Sequence, residues 1–186
     1  MLTSISPLGE RARGNRWPVT AAVYVVASTL GGLAIGALLG ALGSLFDVSP
    51  LAAAAVCAVA AVADLTHRLP TIHRQVDEDW LSRYRGWVYG AGYGAQLGLG
   101  VVTIVTSAAT YAALGLCLLA GSAGAGALIG ATFGLVRALP LLLLHDATTP
   151  DRLRSVAARV ERLSTATRTV TTGVLIASAV TLTVTA

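Results

Sequence analysis

Five apolar stretches, set between loops rich in arginine, leave this chain few ways to fold. They run over about 18–46, 50–66, 87–120, 121–144 and 170–186. About 20 apolar residues cross the ~30 Å hydrocarbon core of a bilayer, so each is read as a membrane span. Composition agrees: 55% of residues are hydrophobic and only 12% charged, against about 25% charged in an ordinary soluble domain. A disordered chain shows the opposite balance, and a soluble enzyme would lack the charge to wet its surface. The expected fold class is all-α, a polytopic transmembrane helix bundle of five spans. It forms one domain over 18–186, behind a cytoplasmic arm at 1–17, with cytoplasmic loops at 67–86 and 145–169. The implied location is the cell's inner membrane, multi-pass, with the lipid bilayer as first partner.

Arginine placement sets the orientation. The chain has 13 arginines and no lysine. Arg11, Arg13 and Arg16 precede the first span. Arg68, Arg74, Arg83 and Arg85 lie between the second and third, and Arg152, Arg154, Arg159, Arg162 and Arg168 between the fourth and fifth. Five crossings put 12 of the 13 on one side, which basic loops mark as cytoplasmic. That predicts the N-terminus inside and the C-terminus outside. Six crossings would expose the last cluster. The basic balance therefore reads as membrane orientation, and no nucleic-acid partner is expected. The third stretch, about 34 residues long, is too long for one straight span. Its excess is read as an interfacial first segment or a break near Gly98 and Gly100. The first apolar run exceeds a signal-peptide core and reads as a retained anchor.

The loops are patterned too. Trp17, Trp80, Tyr84, Trp87 and Tyr89 sit at the cytoplasmic boundary, where amphipathic rings gather. Pro150, with Thr149 as cap and Asp151 in the first turn, opens a helix. Leu153, Val156, Ala157, Val160 and Leu163 recur at helical spacing along it, opposite Arg152, Arg154, Arg159 and Arg162. This helix is expected to lie on the inner leaflet, either as a docking surface for a soluble partner or as a lipid-hugging loop. Val76, Trp80, Leu81 and Tyr84 suggest a shorter version.

Glycine dominates the packing signal. Gly32, Gly36 and Gly40, then Gly90, Gly94 and Gly98, then Gly126, Gly130 and Gly134 form three ladders of spacing four. Residues four apart share a helix face, and glycine there lets helix backbones approach closely. Such packing leaves little room for a large rigid group, and no cofactor is expected. A faint internal echo links Arg68-Leu69-Pro70 with Arg137-Ala138-Leu139-Pro140, and Pro140 should kink the fourth span.

Charges inside spans are costly unless paired or wet. Asp64 and Arg137 are expected either to pair or to face a water-filled vestibule as an anion or proton step. The alternative is that both reach the inner interface, with Asp64 bonding Arg68. Gln96, Thr103, Ser107 and Thr110 share one helical face, as a polar path or as interhelical hydrogen-bonding groups. His67, His73 and His145 fall at the cytoplasmic edge without ligand spacing, so no metal is expected. No nucleophile elbow, phosphate loop or paired intramembrane carboxylates occur, and the chain is not expected to be an enzyme. Cys57 and Cys117 lie far apart within apolar runs, where thiols behave as small hydrophobes.

The order of these features resembles the transmembrane domain of the CcdA/DsbD family, which passes reducing equivalents across the membrane for cytochrome c maturation. Gly31-Gly32-Leu33-Ala34-Ile35-Gly36 with Leu42-Gly43-Ser44-Leu45 is similar to that family's second helix. Tyr89-Gly90-Ala91-Gly92-Tyr93-Gly94 resembles the approach to its fourth. Ala127-Leu128-Ile129-Gly130-Ala131-Thr132-Phe133-Gly134 and Leu139-Pro140-Leu141-Leu142 resemble its fifth, and Gly173-Val174-Leu175-Ile176 its last. The family's first helix and its Pro-Cys pair have no counterpart here. The resemblance implies a related scaffold without the redox sites, used for small-solute transport or for supporting a thiol-redox or transport system. Two other readings stand beside it: a thiol–disulfide electron relay through Cys57 and Cys117, and a non-catalytic structural subunit. A homodimer or a membrane-protein partner is expected.

Overall fold

A computed structural model describes residues 5–46, 49–66, 79–100 and 108–185. Among these residues the regular structure is entirely helical: α1 (Pro7–Ala12), α2 (Trp17–Gly43), α3 (Pro50–Thr66), α4 (Asp79–Arg83), α5 (Gly86–Leu99), α6 (Ala109–Leu119), α7 (Ala123–Ala138) and α8 (Pro150–Thr185), with a 3-10 segment at Leu139–Leu144.

Local chemistry fixes the helix starts. Ser6 Oγ accepts the Gly9 amide at 3.2 Å and Pro7 opens α1. Ser122 Oγ accepts the Ala125 amide at 3.1 Å ahead of α7. Thr149 Oγ1 accepts the Arg152 amide at 3.4 Å ahead of α8. Each side-chain oxygen takes up an amide that the first helical turn leaves without an intrahelical partner.

α2 is the central helix, and its glycine ladder explains why. A Cβ at Gly32, Gly36 or Gly40 would overlap backbone oxygens of Gly130, Gly126 and Ser122 respectively. The pairing runs down one helix as it runs up the other, so α2 and α7 are antiparallel. On another face, a Cβ at Gly90, Gly94 or Gly98 of α5 would press on the carbonyl oxygens of Thr20, Tyr24 and Ser28, at Gly90 from 2.9 Å. Both sets ascend together, so α5 runs parallel to α2. Ser28 Oγ also donates to Gly134 O at 2.7 Å, tying α2 to α7. These helices touch backbone to backbone, and dispersion gains from close approach hold them together.

The remaining helices form a second layer. Cys57, Ala60 and Ala61 of α3 pack against Ala112 of α6 and Leu175 of α8. Away from these contacts the surface is apolar: Leu30 and Leu38 of α2, Val59 of α3 and Val184 of α8 are all exposed.

The structure narrows two expectations. Among the described residues, two helices are by length and composition suited to cross a membrane, Trp17–Gly43 and Ala123–Leu144. The other apolar helices, Leu51–Thr66, Ala109–Leu119 and Thr169–Thr181, are shorter. What is established is the all-α class; among the described residues two such helices stand where five spans were expected. The inner-leaflet helix and the last apolar stretch are one element, because α8 runs unbroken for 36 residues. Nothing between Leu163 and Val170 breaks a helix, since that segment has neither proline nor glycine.

Candidate functional site

The most unusual backbone feature lies where the long third stretch divides. α5 stops at Leu99 because Gly100 turns left-handed, at φ 73°. Glycine adopts that conformation without steric cost. The chain is described again from Ala108, and α6 begins one residue later. The C-terminal end of α5 therefore presents carbonyls with partial negative charge, and the start of α6 presents amides with partial positive charge.

Each end meets a side chain of the opposite sign. Arg137 of α7 donates from Nη1 to the carbonyl oxygen of Leu97 at 3.1 Å. Its guanidinium also lies 5.2 Å from the centroid of the Phe133 ring. Asp64 of α3, 1% exposed, accepts the Ala108 amide at 2.7 Å on Oδ1. Its Oδ2 accepts the Thr172 hydroxyl of α8 at 3.5 Å. The two charges expected to pair thus serve separate helix ends. They also lie at different depths. Arg137 is one turn beyond Gly134, which abuts Ser28 of α2. Asp64 meets Ala108, ten residues or roughly 15 Å of helix before Leu118, which abuts Gly43 at the far end of α2. The bond expected between Asp64 and Arg68 falls outside the described residues.

The polar face expected on the third stretch required a continuous helix, and the stop at Leu99 removes that premise. Gln96 is half-buried on α5 and Thr110 is buried on α6, while Thr103 and Ser107 lie outside the described residues. Thr110 Cγ2 and the Phe133 ring pack around Gly100. Pro140 stands in the 3-10 segment that follows α7.

A second cluster, at the N-terminal end of α2, was not visible in the sequence. Glu10, in the supposed arm, is fully buried. It takes the Arg13 guanidinium at 2.7 Å and the Thr20 hydroxyl at 2.8 Å. It also accepts the Tyr89 hydroxyl, which in turn accepts Asn15 Nδ2 at 3.2 Å. Arg13 lies 5.8 Å from the Tyr89 ring centroid. Burial works against the charge on Arg13, but its bonds to Glu10 and Tyr89 outweigh burial and raise its pKa above the ordinary value. A Cβ on Gly86 would strike Thr20 Oγ1 and sit 2.8 Å from Glu10 Oε2. Ile5, Tyr89, Tyr93, Leu141 and Leu144 close the cluster with Trp17 and Trp80 packed against it. The only hint in the sequence is that Glu10 is the sole acid before Asp47.

The other candidates sit apart. Cys57 and Cys117 are free and buried, the latter with Sγ 3.6 Å from Gly126 O. His145 is exposed and 3.0 Å from Asp146, whereas His67 and His73 lie outside the described residues. Among the described residues no group of three or more His, Cys, Asp or Glu side chains is placed to hold a metal.

With this geometry in hand, comparison with known proteins gives one consistent result. This chain is similar to methylamine utilization protein MauF. It is 32% identical to that protein of Paracoccus versutus over 153 residues, which cover 75% of this chain and 56% of the relative. Identity is 30% over 151 residues to the protein of Methylophilus methylotrophus, covering 75% and 53%. It is 32% over 152 residues to that of Paracoccus denitrificans, covering 75% and 55%. The chain spans about half the length of these relatives. No family model matches, and no solved structure matches.

These relatives overturn the CcdA/DsbD resemblance, and with it the cytochrome c, solute-transport and thiol-relay readings. The physical reason lies in what carried the resemblance. The matched motifs were glycine ladders and a Leu-Pro step. Gly32, Gly36, Gly126 and Gly130 each abut a neighbouring backbone, so the ladders record close helix packing, which unrelated glycine-rich bundles share. The buried thiols of Cys57 and Cys117 also lack the exposure that thiolate exchange needs.

Proposed function

We propose that this chain serves methylamine utilization as a multi-pass, membrane-embedded helical protein without a catalytic step of its own. The observation that carries the reading is the similarity to MauF along three-quarters of the chain. The membrane part is supported by the two long apolar helices and by the exposed aliphatic side chains on α2, α3 and α8. A soluble protein rarely exposes so continuous an apolar exterior. The absence of a catalytic step is supported by how the buried carboxylates are used. Glu10 and Asp64 bond to hydroxyls, a guanidinium and a backbone amide of the same chain, an arrangement that fixes helices. The bilayer is the immediate partner, and a further membrane protein or a second copy would complete the assembly.

Deleting the chain from its host tests the reading. Growth with methylamine as sole nitrogen source should fail while growth on ammonium continues. Equal growth on both would overturn the proposal. The membrane part has its own check: the protein should resist extraction by alkaline carbonate and dissolve only in detergent.

A further inference from the structure

Basic side chains gather at one end of the bundle, on or beside α1, α2, α4, α5 and α8. Arg11 lies in the last turn of α1, and Arg16 immediately precedes α2. Arg83 ends α4, and Arg85 precedes α5. Arg159 and Arg162 lie on the first half of α8, within two turns of Val156, which packs on the Tyr89–Leu144 cluster. All six are exposed. α5 begins beside the start of α2, where Gly86 meets Thr20, so the three groups share one end. Among the described residues none of the six is in an ion pair; those pairs are Arg13–Glu10, His145–Asp146 and Arg154–Asp151. Tyr84 and Trp87, 51% and 54% exposed, stand among them.

We infer that this arginine collar binds the phosphate headgroups of anionic phospholipids in the leaflet around the α2 N-terminal end. The inference rests on the membrane reading above. Charge complementarity selects an anionic occupant, and the exposed aliphatic side chains beyond the arginines, Leu30, Leu38 and Val59 among them, select a lipid leaflet. A soluble acidic partner would leave those aliphatic side chains in water, whereas a bilayer covers them while its headgroups meet the arginines. Guanidinium binds phosphate through two parallel hydrogen bonds, and the chain's cations are all arginine. Exposed tryptophan and tyrosine prefer the same headgroup layer. α8 suits the geometry, because its 36 residues extend about 54 Å, well beyond a ~30 Å core. The excess, at its N-terminal end, carries Arg159 and Arg162 towards the headgroups.

The test reconstitutes the full chain into liposomes of equal phosphatidylcholine and phosphatidylglycerol with matched acyl chains. The protein is extracted with its lipid annulus into polymer discs, and the annular lipids are counted by mass spectrometry. Phosphatidylglycerol should be enriched over the bulk ratio, and high salt should abolish the enrichment. Each arginine replaced by glutamine at 83, 85, 159 and 162 should lower it by up to about fivefold. An annulus at the bulk ratio in low salt overturns the inference. So does enrichment that survives the fourfold substitution in a variant of normal helicity. If that variant does not fold, the salt titration of the unaltered protein decides alone. Loss of methylamine growth in the variant with unaltered lipid enrichment would assign the collar to an acidic protein and overturn the lipid reading. A chain that enters no liposome overturns the membrane reading itself, an outcome distinct from entry without lipid preference.

Discussion

Arg137 Nη1 donates to the carbonyl oxygen of Leu97 at 3.1 Å, joining α7 to the last turn of α5. The bond lies where a helix stops inside the bundle, and the donor is a full positive charge facing a helix C-terminus. Cations are favoured at such ends because the last carbonyls carry partial negative charge.

Arg137→Leu should therefore destabilise the chain by about 1.5–3 kcal/mol, the usual contribution of a hydrogen bond to a charged group. Arg137→Lys should recover part of this, since it keeps the charge but loses the planar contact with Phe133. Loss of helicity on heating in detergent would report both. A leucine variant that melts with the unaltered protein would mean the bond carries no weight.

Asp64 plays the mirror role at the start of α6. Asp64→Asn keeps an oxygen for the Ala108 amide but loses the charge and the second oxygen that accepts the Thr172 hydroxyl, so it should cost about 1 kcal/mol. Asp64→Ala removes the cap and leaves the Thr172 hydroxyl and the Ala108 amide without this acceptor. It should cost about 1–3 kcal/mol. The ordering of the two is the discriminating result. Equal midpoints for Asn and Ala would show that Asp64 does not cap α6.

How much of this could be read in advance depends on the distance over which each feature is determined. α2 and α3 are legible because an unbroken apolar run suffices to make a helix. The ladders at Gly32–Gly40 and Gly126–Gly134 point to tight contacts, but spacing alone cannot tell which ladder meets which. The ladder at Gly90–Gly98 meets the backbones of Thr20, Tyr24 and Ser28, and since these three are not glycines, nothing in α2 marks the matching face. Asp64 and Arg137 look like partners because each is costly alone, yet their targets are the backbone at the start of α6 and at the end of α5. Glu10 is the clearest omission. It is a single acid beside arginines in a short segment, and its partner Tyr89 is 79 residues away. The composition of α8 changes near residue 169, which suggests two segments, but composition does not break a helix when no proline or glycine intervenes.

The Glu10 cluster makes a separate prediction about the N-terminal segment. Glu10→Ala removes the acceptor shared by Arg13, Thr20 and Tyr89, and α1 should come away from α2 and α5. Trypsin should then cut after Arg11 and Arg13 markedly faster than in the unaltered protein. Tyr89→Phe removes one of these bonds and should cost about 1 kcal/mol, with a smaller rise in cleavage. Unchanged cleavage of the alanine variant would mean that α1 is held by Ile5 and its apolar neighbours alone.

Two glycines of similar setting in the sequence should respond in opposite ways. A Cβ at Gly36 would overlap the Gly126 carbonyl oxygen, a backbone atom that cannot rotate aside. Gly36→Ala should force α2 and α7 apart at a cost of about 1–3 kcal/mol. At Gly173, inside α8, an added Cβ meets nothing within 4 Å. Gly173→Ala should raise stability by up to about 1 kcal/mol through helix propensity. Opposite shifts in melting midpoint would support the packing described, and a comparable loss at both positions would contradict it.

The helix directions predict where the two ends of the chain lie. α5 runs parallel to α2 and α7 runs against it, as the glycine contacts require. α6 runs against α3, since Asp64 meets Ala108 while Val56 meets Gly115. The C-terminal end of α6 reaches Gly43 at the end of α2, so α6 points the same way as α2. α8 also runs against α3, with Thr172 at Asp64 and Thr183 near Leu51 in the groove between them. α8 is therefore parallel to α2, and its last turn lies at the end of the bundle opposite Trp17. On the proposed membrane reading, in which basic residues mark the cytoplasmic side, a reporter fused after Ala186 should be active only outside the cytoplasm, and one fused before Met1 only inside. Both reporters on the same side would contradict the direction assigned to α8, whatever the number of crossings.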